Sequence, residues 1–448
     1  MARDALDYRD LMVSGSLDRA VLHLGAPAAT AALLQAAFLV VDTFWLGKVG
    51  PVAIAAASTA GFVMWLAQTL GEGIASGSGA VLAASVGGRD TAAAARAATA
   101  GGFLALWGSL IVLLAGLVSS RSVFDFMATA PAVTDGGLAY VRIILLGMPA
   151  YFAFAWLAAS FRAVGDARTP LAMLAVGAGV NVVLDPILIF GVGFVPALGV
   201  SGAALATVAA WLVAAAWGWR LIGRIGLRPR LSGLLTPPAE TWRALRIGLP
   251  LGAEGALFSV IYILLTRITT GFGTAAVAAL GIGHKLEVLN YFVCAGMGQA
   301  ATTLVGQSLG AGDRRRARRA GWRALFLTGV PVGAVTVVLV AFPRQAIGVF
   351  SADAEVIAAG ATYVLLVGMT QLFMASEVVI LGAFAGAHWT GWPAALEISL
   401  TASRVPIAAW LAAQGWGVEA VWTAIAVTTV VKGVLLALLW GWRMRLDS

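Results

Sequence analysis

The sequence predicts an all-α integral membrane protein with twelve transmembrane helices in two six-helix bundles. Of its 448 residues, 60% are hydrophobic and only 11% are charged, whereas soluble domains carry about 25% charged residues. The hydrophobic runs are continuous and rich in Ala, Leu and Val, without the alternation typical of a membrane β-barrel. Because a bilayer requires each spanning segment to satisfy its own backbone hydrogen bonds, helices are the remaining choice.

The charge distribution predicts the orientation of these helices. The formal net charge is +8, and most basic residues fall in alternate loops, with the densest run in "DRRRARRAGWR" from Asp313 to Arg323. This positive-inside pattern indicates a multi-pass protein of the plasma (inner) membrane with both termini in the cytoplasm. The basic loops are suited to anionic lipid headgroups, and no nucleic-acid partner is expected. The charged N-terminus lacks the apolar core and cleavage site of a removable signal peptide.

The two halves of the chain repeat one another. Pro27 matches Pro250 and Gly87 matches Gly310, both at an offset of 223 residues. A later match pairs "FRAVGDARTP" with "GAFAGAHWTG" and so aligns Gly165 with Gly386. Because each half contains six spans, both halves have the same orientation, and the repeat is parallel.

A polar, proline-containing stretch separates the halves. We therefore predict an N-terminal lobe over residues 1–222 with six spans, a cytoplasmic linker over 223–242, and a C-terminal lobe over 243–448 with six spans. Pro237 and Pro238 mark the linker.

Two polar side chains stand out inside the apolar stretch "NVVLDPILIF". Asn181 and Asp185 lie four residues apart, so they share one helix face, and an ionisable residue in a membrane core usually faces a cavity or a partner. Asp42 lies in the first predicted helix. The structural alternative is that Asp185 caps a break at Pro186 and that Asp42 ends its helix near water.

Several motifs in order resemble the multidrug and toxic compound extrusion (MATE) transporters. They are "VDTFWLGKVG" in helix 1, "FRAVGDARTP" after helix 4, "NVVLDPILIFG" in helix 5, "GVSGAALATV" opening helix 6 and "AATTLVGQSLGAGD" after helix 8. The resemblance covers essentially the whole chain. It implies a V-shaped, outward-facing architecture and a secondary active antiporter that uses alternating access to export amphipathic, often cationic drug-like compounds in exchange for H⁺ or Na⁺.

The resemblance also implies where the coupling cation binds. Asp42, Asn181, Asp185 and Thr207 would converge in the first lobe as a cation or proton site. Their carboxylate, amide and hydroxyl oxygens suit Na⁺, and two nearby carboxyl groups in a low dielectric suit a proton. The resemblance further implies that Pro27 kinks helix 1 and that cation binding shifts this helix between straight and bent states; a static kink is the alternative.

The second lobe carries its own acids. Glu254, Glu287 and Glu377 lie on predicted helices 7, 8 and 10 and form a candidate acidic site. They do not coincide with the acidic positions of the family members that keep a cation site in this lobe. Ion pairs are the alternative, with Lys285 as a partner of Glu254 or Glu287. Glu397 and Arg404 form a further candidate pair.

The drug cavity should be apolar, roomy and sparsely acidic. We expect its lining among aromatic, methionine and amide side chains of the spans, although aromatic residues also form interfacial belts. The candidates are Trp45, Met64, Trp65, Gln68, Tyr151, Phe154, Trp156 and Tyr291.

Other function classes are less consistent with the sequence. There is no phosphate-binding GxxxxGK[ST] motif and no hydrolase or metalloprotease motif, so we expect no enzyme. One cysteine, Cys294, and three histidines argue against a thiolate or multi-histidine metal centre. We therefore expect no cofactor beyond the coupling ion, small-molecule solutes and membrane lipids as partners, and no required protein partner. A flippase for a lipid-linked precursor is the alternative, but the embedded acids disfavour an anionic lipid.

Overall fold

The computed structural model describes residues 3–126, 131–193, 195–229 and 231–446. Its regular elements within these ranges are all helices. In chain order they are α1 Arg3–Val13, α2 Leu17–Val49, α3 Pro51–Gly87, α4 Thr91–Phe126, α5 Pro131–Leu146, α6 Met148–Ala163, α7 Arg168–Phe190, α8 Val200–Ile222, a 3₁₀ turn Gly223–Ile225, α9 Leu231–Leu235, α10 Glu240–Thr270, α11 Thr274–Gly310, α12 Arg314–Ala341, α13 Pro343–Gly348, α14 Ala354–Gly368, α15 Gln371–Gly386, α16 Gly391–Ala402, α17 Arg404–Ala413 and α18 Glu419–Leu446.

These helices account for the predicted membrane crossings. Among the described residues, eight helices are long and apolar enough to cross a membrane, and two bent pairs, α5–α6 (49°) and α14–α15 (51°), bring the number to ten. We assign the other two predicted crossings to α3, which is 37 residues long, and to the broken pair α16–α17. Polar Glu397 and Arg404 lie on either side of that break.

The backbone repeats with a single offset of 223 residues. Gly147 separates α5 from α6 and accepts from the amide of Ala150, and Thr370 plays the same part between α14 and α15 by accepting from the amide of Phe373. Gly165 and His388 both have positive φ, 101° and 58°. The predicted alignment of Gly165 with Gly386 is therefore wrong by two residues, because similar dipeptides recur beside the equivalent positions.

The two halves form lobes that touch through glycines. We call α1–α8 the N-lobe and α10–α18 the C-lobe. A Cβ atom on Gly73 of α3 would lie 2.6 Å from the carbonyl oxygen of Gly248 in α10. The equivalent glycine, Gly296 of α11, approaches the backbone of Ala29 in α2 equally closely. Small residues therefore allow two symmetric backbone-to-backbone crossings, as in other membrane helix pairs.

The two predicted repeat prolines lie beside these crossings. Pro27 is inside the uninterrupted helix α2, two residues before Ala29, and Pro250 lies in α10 between Gly248 and Gly252. Each proline removes one intrahelical hydrogen bond. Both helices therefore lack one backbone hydrogen bond close to the point where they touch the opposite lobe.

One end of the molecule, which we call the basic end, carries α1 and the turns before α4 and α12. Arg9 of α1 donates to the carbonyl oxygen of Gly87 in the N-lobe at 2.7 Å. Arg316 of the C-lobe donates to the carbonyl oxygens of Met12 and Gly15, both at 2.8 Å. Helix α1 is therefore fastened to α3 within the N-lobe and to α12 of the C-lobe.

A histidine joins the lobes at the same end. His388, in the turn after α15, has its Nε2 atom 3.1 Å from the carbonyl oxygen of Ala80 in α3, and Arg243 approaches its Nδ1 atom at 2.9 Å. Burial, together with the Arg243 charge, lowers the pKa of His388 to about 4. The imidazole is consequently neutral, donates from Nε2 and accepts at Nδ1.

The lobes separate away from the basic end. Gly255 of α10 still touches Thr69 of α3. One turn further along the same face of α3, Trp65 is 42% exposed, and Leu257 of α10 is 41% exposed. The arrangement is a V with its closed vertex towards the basic end.

Candidate functional site

Four helices of the N-lobe position its buried polar residues. Helix α7 packs against both α2 and α8, and α5 packs against α8. Asn181 and Asp185 project from one face of α7 and are completely buried, while Asp42 of α2 and Thr207 of α8 are 8% and 4% exposed. We call Asp42, Asn181, Asp185 and Thr207 the N-lobe site; the predicted set lies within one lobe.

Hydrogen bonds link three members of the N-lobe site. The carboxamide of Asn181 is satisfied with its nitrogen donating to Asp185 Oδ2 at 2.7 Å and its oxygen accepting from the Thr207 amide at 3.3 Å. The Thr207 hydroxyl donates to the carbonyl oxygen of Ala203 at 3.0 Å. Helix α7 continues to Phe190, so Asp185 lies inside the helix rather than capping a break at Pro186.

Asp42 is the unsatisfied member. Its Oδ1 atom is buried without a hydrogen-bond partner among the described residues, and its carboxyl group interacts electrostatically with that of Asp185. Tyr140 of α5 is 3% exposed and interacts electrostatically with both carboxyl groups. Sequence reasoning missed Tyr140, because one tyrosine in an apolar helix carries no distinguishing signal.

The N-lobe site has acidic groups without a basic counter-ion. Within the described residues neither Asp42 nor Asp185 forms an ion pair, and no cluster of three or more His, Cys, Asp or Glu side chains is arranged for a metal ion. A bound cation would therefore draw on amide and hydroxyl oxygens in addition to the two carboxyl groups. This donor set fits a proton or Na⁺, both hard cations.

The C-lobe acids are arranged differently. Lys432 of α18, 1% exposed, donates to Glu377 at 2.6 Å and to Thr401 at 3.0 Å. Glu397 interacts electrostatically with both Glu254 and Glu377. Two of the three predicted C-lobe acids, Glu254 and Glu377, therefore meet in one cluster with a lysine that the sequence analysis did not consider.

The predicted ion pairs of the C-lobe are wrong. Arg404 donates to Thr428 and Thr429, both at 2.9 Å, and to the Tyr262 hydroxyl at 3.1 Å, and forms no ion pair with Glu397. Lys285 is exposed and, in the described structure, pairs with neither Glu254 nor Glu287. The partner of a buried acid lies on a helix distant in sequence, where spacing gives no guidance.

Glu287 belongs to a separate network. It accepts from the Tyr363 hydroxyl at 2.7 Å and from Gln371 at 2.8 Å, and His284 lies 3.7 Å away. It therefore does not join Glu254 and Glu377 in one acidic site.

One of the predicted drug-lining residues borders a cavity of ≈ 70 Å³ between α2, α3, α6, α7 and α11. We call it the junction cavity. Phe154 lines it together with Glu72 and Arg162, and the Tyr151 hydroxyl donates to Glu72 at 3.1 Å. Met64 and Gln68 precede Glu72 by eight and four residues on the same face of α3.

The other predicted lining residues are dispersed. Trp45 packs edge-on against Phe190, with ring centroids 6.0 Å apart, near the N-lobe site. Tyr291 is 40% exposed and is electrostatically close to the C-lobe acids, and Trp65 faces the open part of the V. The prediction that Trp156 lines the drug cavity is wrong. Its indole is buried and donates to the carbonyl oxygen of Ala98 in α4 at 3.1 Å. It belongs to the N-lobe core.

The chain is similar to known transport proteins over nearly its whole length. A family model described as MatE matches it twice, over residues 27–187 and 250–410. It is 30% identical to the "Probable multidrug resistance protein NorM" of Pseudomonas aeruginosa, covering 95% of this chain and 89% of that protein. It is 28% identical to the protein of the same name from Thermotoga maritima, covering 87% and 84%. The solved structure of a MOP superfamily transporter from Pyrococcus furiosus matches with a TM-score of 0.90 at 22% identity, covering 97% of each chain.

Proposed function

Because the chain belongs to the MATE family of membrane transporters, we propose that it is a secondary active antiporter. It exports amphipathic, cationic drug-like compounds in exchange for H⁺ or Na⁺. The similarity to NorM proteins, which are named for multidrug resistance, supports the class of cargo. The V-shaped arrangement, closed at one end, supports alternating access.

Coupling to a cation is supported above all by the N-lobe site, where Asp42 and Asp185 lie buried without a basic counter-ion. A bound proton or Na⁺ offsets the cost of burying this charge. Helix α2 carries Asp42 and, through Ala29, also one of the two lobe crossings. Cation binding at Asp42 would therefore act on the lobe contact through the same helix, with Pro27 as the bending point.

The orientation follows from the charges. We propose that the basic end faces the cytoplasm of a plasma (inner) membrane and that the cleft opens outward. The lobes correspond to residues 1–222 and 243–448, joined by the linker 223–242. The terminal residues themselves lie outside the described residues.

The C-lobe acids have a structural role in this proposal. Lys432 already neutralises one charge of the Glu254, Glu377 and Glu397 cluster, and Glu287 is held by Tyr363 and Gln371. We therefore assign the coupling cation to the N-lobe site, where no basic side chain among the described residues neutralises either carboxyl group.

The test is gradient-driven transport of ethidium, a fluorescent lipophilic cation, in proteoliposomes. A proton gradient and a sodium gradient are imposed separately on the wild type and on Asp185→Asn. We expect one gradient to drive transport and the variant to lose at least about tenfold of the rate, because the amide carries no charge to exchange.

Asp135→Asn is the matched control. Asp135 is exposed in α5, so this substitution makes the same chemical change outside the N-lobe site. It should transport as the wild type does. Equal transport by Asp185→Asn and wild type under the active gradient would sink the assignment of the N-lobe site. Failure of both gradients to move any cation would sink the antiport function.

A further inference from the structure

A second set of charged side chains lies outside the N-lobe site, in the junction cavity. Glu72 and Arg162 line this cavity together with Gln35 and Gln299, whereas no member of the N-lobe site does. Helices of both lobes contribute, since Gln299 belongs to α11 and the other three to the N-lobe. The cavity is therefore a place where a bound group contacts both halves of the molecule.

Arg162 presents an unpaired positive charge. It lies in the last turn of α6, one turn beyond the cavity-lining Ala158. Within the described structure its guanidinium makes no hydrogen bond and no ion pair within 4.0 Å, although it interacts electrostatically with Glu72 and Tyr151. A guanidinium has five donors and is rarely enclosed by protein without an acceptor. Its free donors face the cavity.

Glu72 presents the opposite charge across the cavity. Its Oε1 atom is fixed by the Tyr151 hydroxyl at 3.1 Å, and Tyr151 in turn packs against Trp211 with ring centroids 5.1 Å apart. Because no ion pair joins Glu72 to Arg162 within 4.0 Å, the two charges are held apart on α3 and α6. The gap between them is the cavity.

The remaining polar groups and the volume limit what fits. Within the described part of the chain, the carboxamides of Gln35 and Gln299 make no side-chain hydrogen bond, so both can donate and accept. The volume of ≈ 70 Å³ has room for roughly five water molecules. That space suits the charged head of a solute, with its apolar body in the wider cleft.

We propose that the junction cavity is a subsite for the zwitterionic head of an amphipathic solute. Arg162 binds a carboxylate, and Glu72 binds an ammonium group. This inference rests on the proposed export function and narrows its cargo, because a simple monocation satisfies Glu72 but leaves Arg162 unpaired. A zwitterion matches both charges, and the fork of the guanidinium favours a carboxylate by bidentate hydrogen bonds.

The test compares binding of a fluorescent amphipath with an amino-acid head, Nε-dansyl-lysine, with that of its methyl ester, a monocation, to the detergent-purified protein without any gradient. We expect the wild type to bind the acid at least about tenfold more tightly than the ester, as a charged hydrogen-bonded pair provides. Arg162→Met should remove this preference while ethidium binding persists. Arg168→Met, which removes an exposed arginine at the start of α7, should keep it.

Equal affinities for acid and ester in the wild type would overturn the subsite, as would an unchanged preference in Arg162→Met. If Arg162→Met does not fold, the same comparison is made with Arg162→Lys. Lysine keeps the positive charge but cannot form the bidentate hydrogen bonds of a guanidinium. A reduced preference in that variant supports the subsite, and an unchanged one overturns it. A wild type that prefers the acid but transports nothing under either gradient contradicts the coupling proposal and leaves the subsite standing.

Discussion

The N-lobe and the C-lobe share a backbone but treat buried charge in opposite ways. At the position 223 residues after Asn181 the C-lobe carries Arg404, and after Asp185 it carries Ala408. The N-lobe buries two carboxyl groups with an amide and a hydroxyl, whereas the C-lobe buries a lysine against Glu377. The C-lobe pairs one of its buried carboxylates with a lysine of its own, whereas neither carboxyl group of the N-lobe site has a basic partner in the part of the chain that the structure describes.

This difference shows what the repeat conserves. The glycine crossings at Gly73 and Gly296 and the positive-φ turns at Gly165 and His388 are equivalent in both lobes, because they determine how the helices pack. The buried polar side chains carry no such constraint. The duplicated backbone therefore leaves the buried polar side chains of the two lobes free to differ.

The largest expected effect comes from breaking the internal balance of the C-lobe. Lys432→Met leaves Glu377 buried without its counter-ion, so we expect a loss of about 3–5 kcal/mol in the free energy of unfolding. Thermal melting of the detergent-purified protein measures it. Replacing Glu377 as well, with Glu377→Gln, should recover most of the loss.

The same comparison gives the N-lobe control. Asp185→Asn should abolish coupled transport without a comparable fall in melting temperature. Asp185 has no basic partner in the described structure, so the substitution leaves no buried charge unpaired. If Lys432→Met were as stable as the wild type, or if the double variant were no better than the single one, the internal balance of the C-lobe would be disproved.

A smaller effect tests the contact between the lobes. The pKa of His388, about 4, lies below its ordinary value of 6.5, so the unfolded chain takes up a proton first as the pH falls. Stability is complete above about pH 6.5 and declines towards pH 4, by up to about 3 kcal/mol. Melting temperatures measured across this range report it.

His388→Gln tests this pH dependence. The glutamine amide can still donate to the carbonyl oxygen of Ala80, but it does not titrate between pH 4 and 6.5. Its melting curve should lack the decline that is due to His388. Arg243→Met should give a smaller decline than the wild type, because the pKa of His388 rises when the neighbouring charge is removed. A decline unchanged in both variants would rule out His388 as its source.

The smallest effect distinguishes the cleft from the core of the N-lobe. Trp156→Phe removes the hydrogen bond to Ala98 and should cost about 1–2 kcal/mol in the free energy of unfolding. Ethidium transport should keep its wild-type concentration dependence. Altered selectivity for transported compounds in this variant would show that Trp156 contacts the transported compound and would contradict its assignment to the N-lobe core.

The N-lobe site could be predicted because its signals are local or shared with a family. Asn181 and Asp185 lie one helical turn apart in an apolar run, and an acid in such a run is rarely accidental. The helical fold followed from composition and from the repeat, which predicted equivalent positions before any contact was known. Only the register after Gly147 was misjudged, because the dipeptide Gly-Met recurs at 368 and not at the equivalent Thr370.

The remaining polar groups could not be placed, because their partners come from distant helices. Lys432 meets Glu377 across 55 residues of sequence, and nothing in either segment indicates this pairing. Arg162 lies near the end of a span and resembles a basic loop residue by sequence, whereas in the structure it lines the junction cavity. Glu72 lies in an otherwise apolar stretch, which is the signal that had identified Asp185.

The fastening of α1 has a consequence for biosynthesis. Arg9 can reach Gly87 as soon as the third helix exists, but Arg316 closes on Met12 across 304 residues of sequence. The first segment to leave the ribosome therefore waits for most of the chain before its second attachment forms. Truncated chains that end before α12 would keep α1 held at one side only, so a protease that cleaves at α1 should distinguish nascent intermediates from the finished molecule.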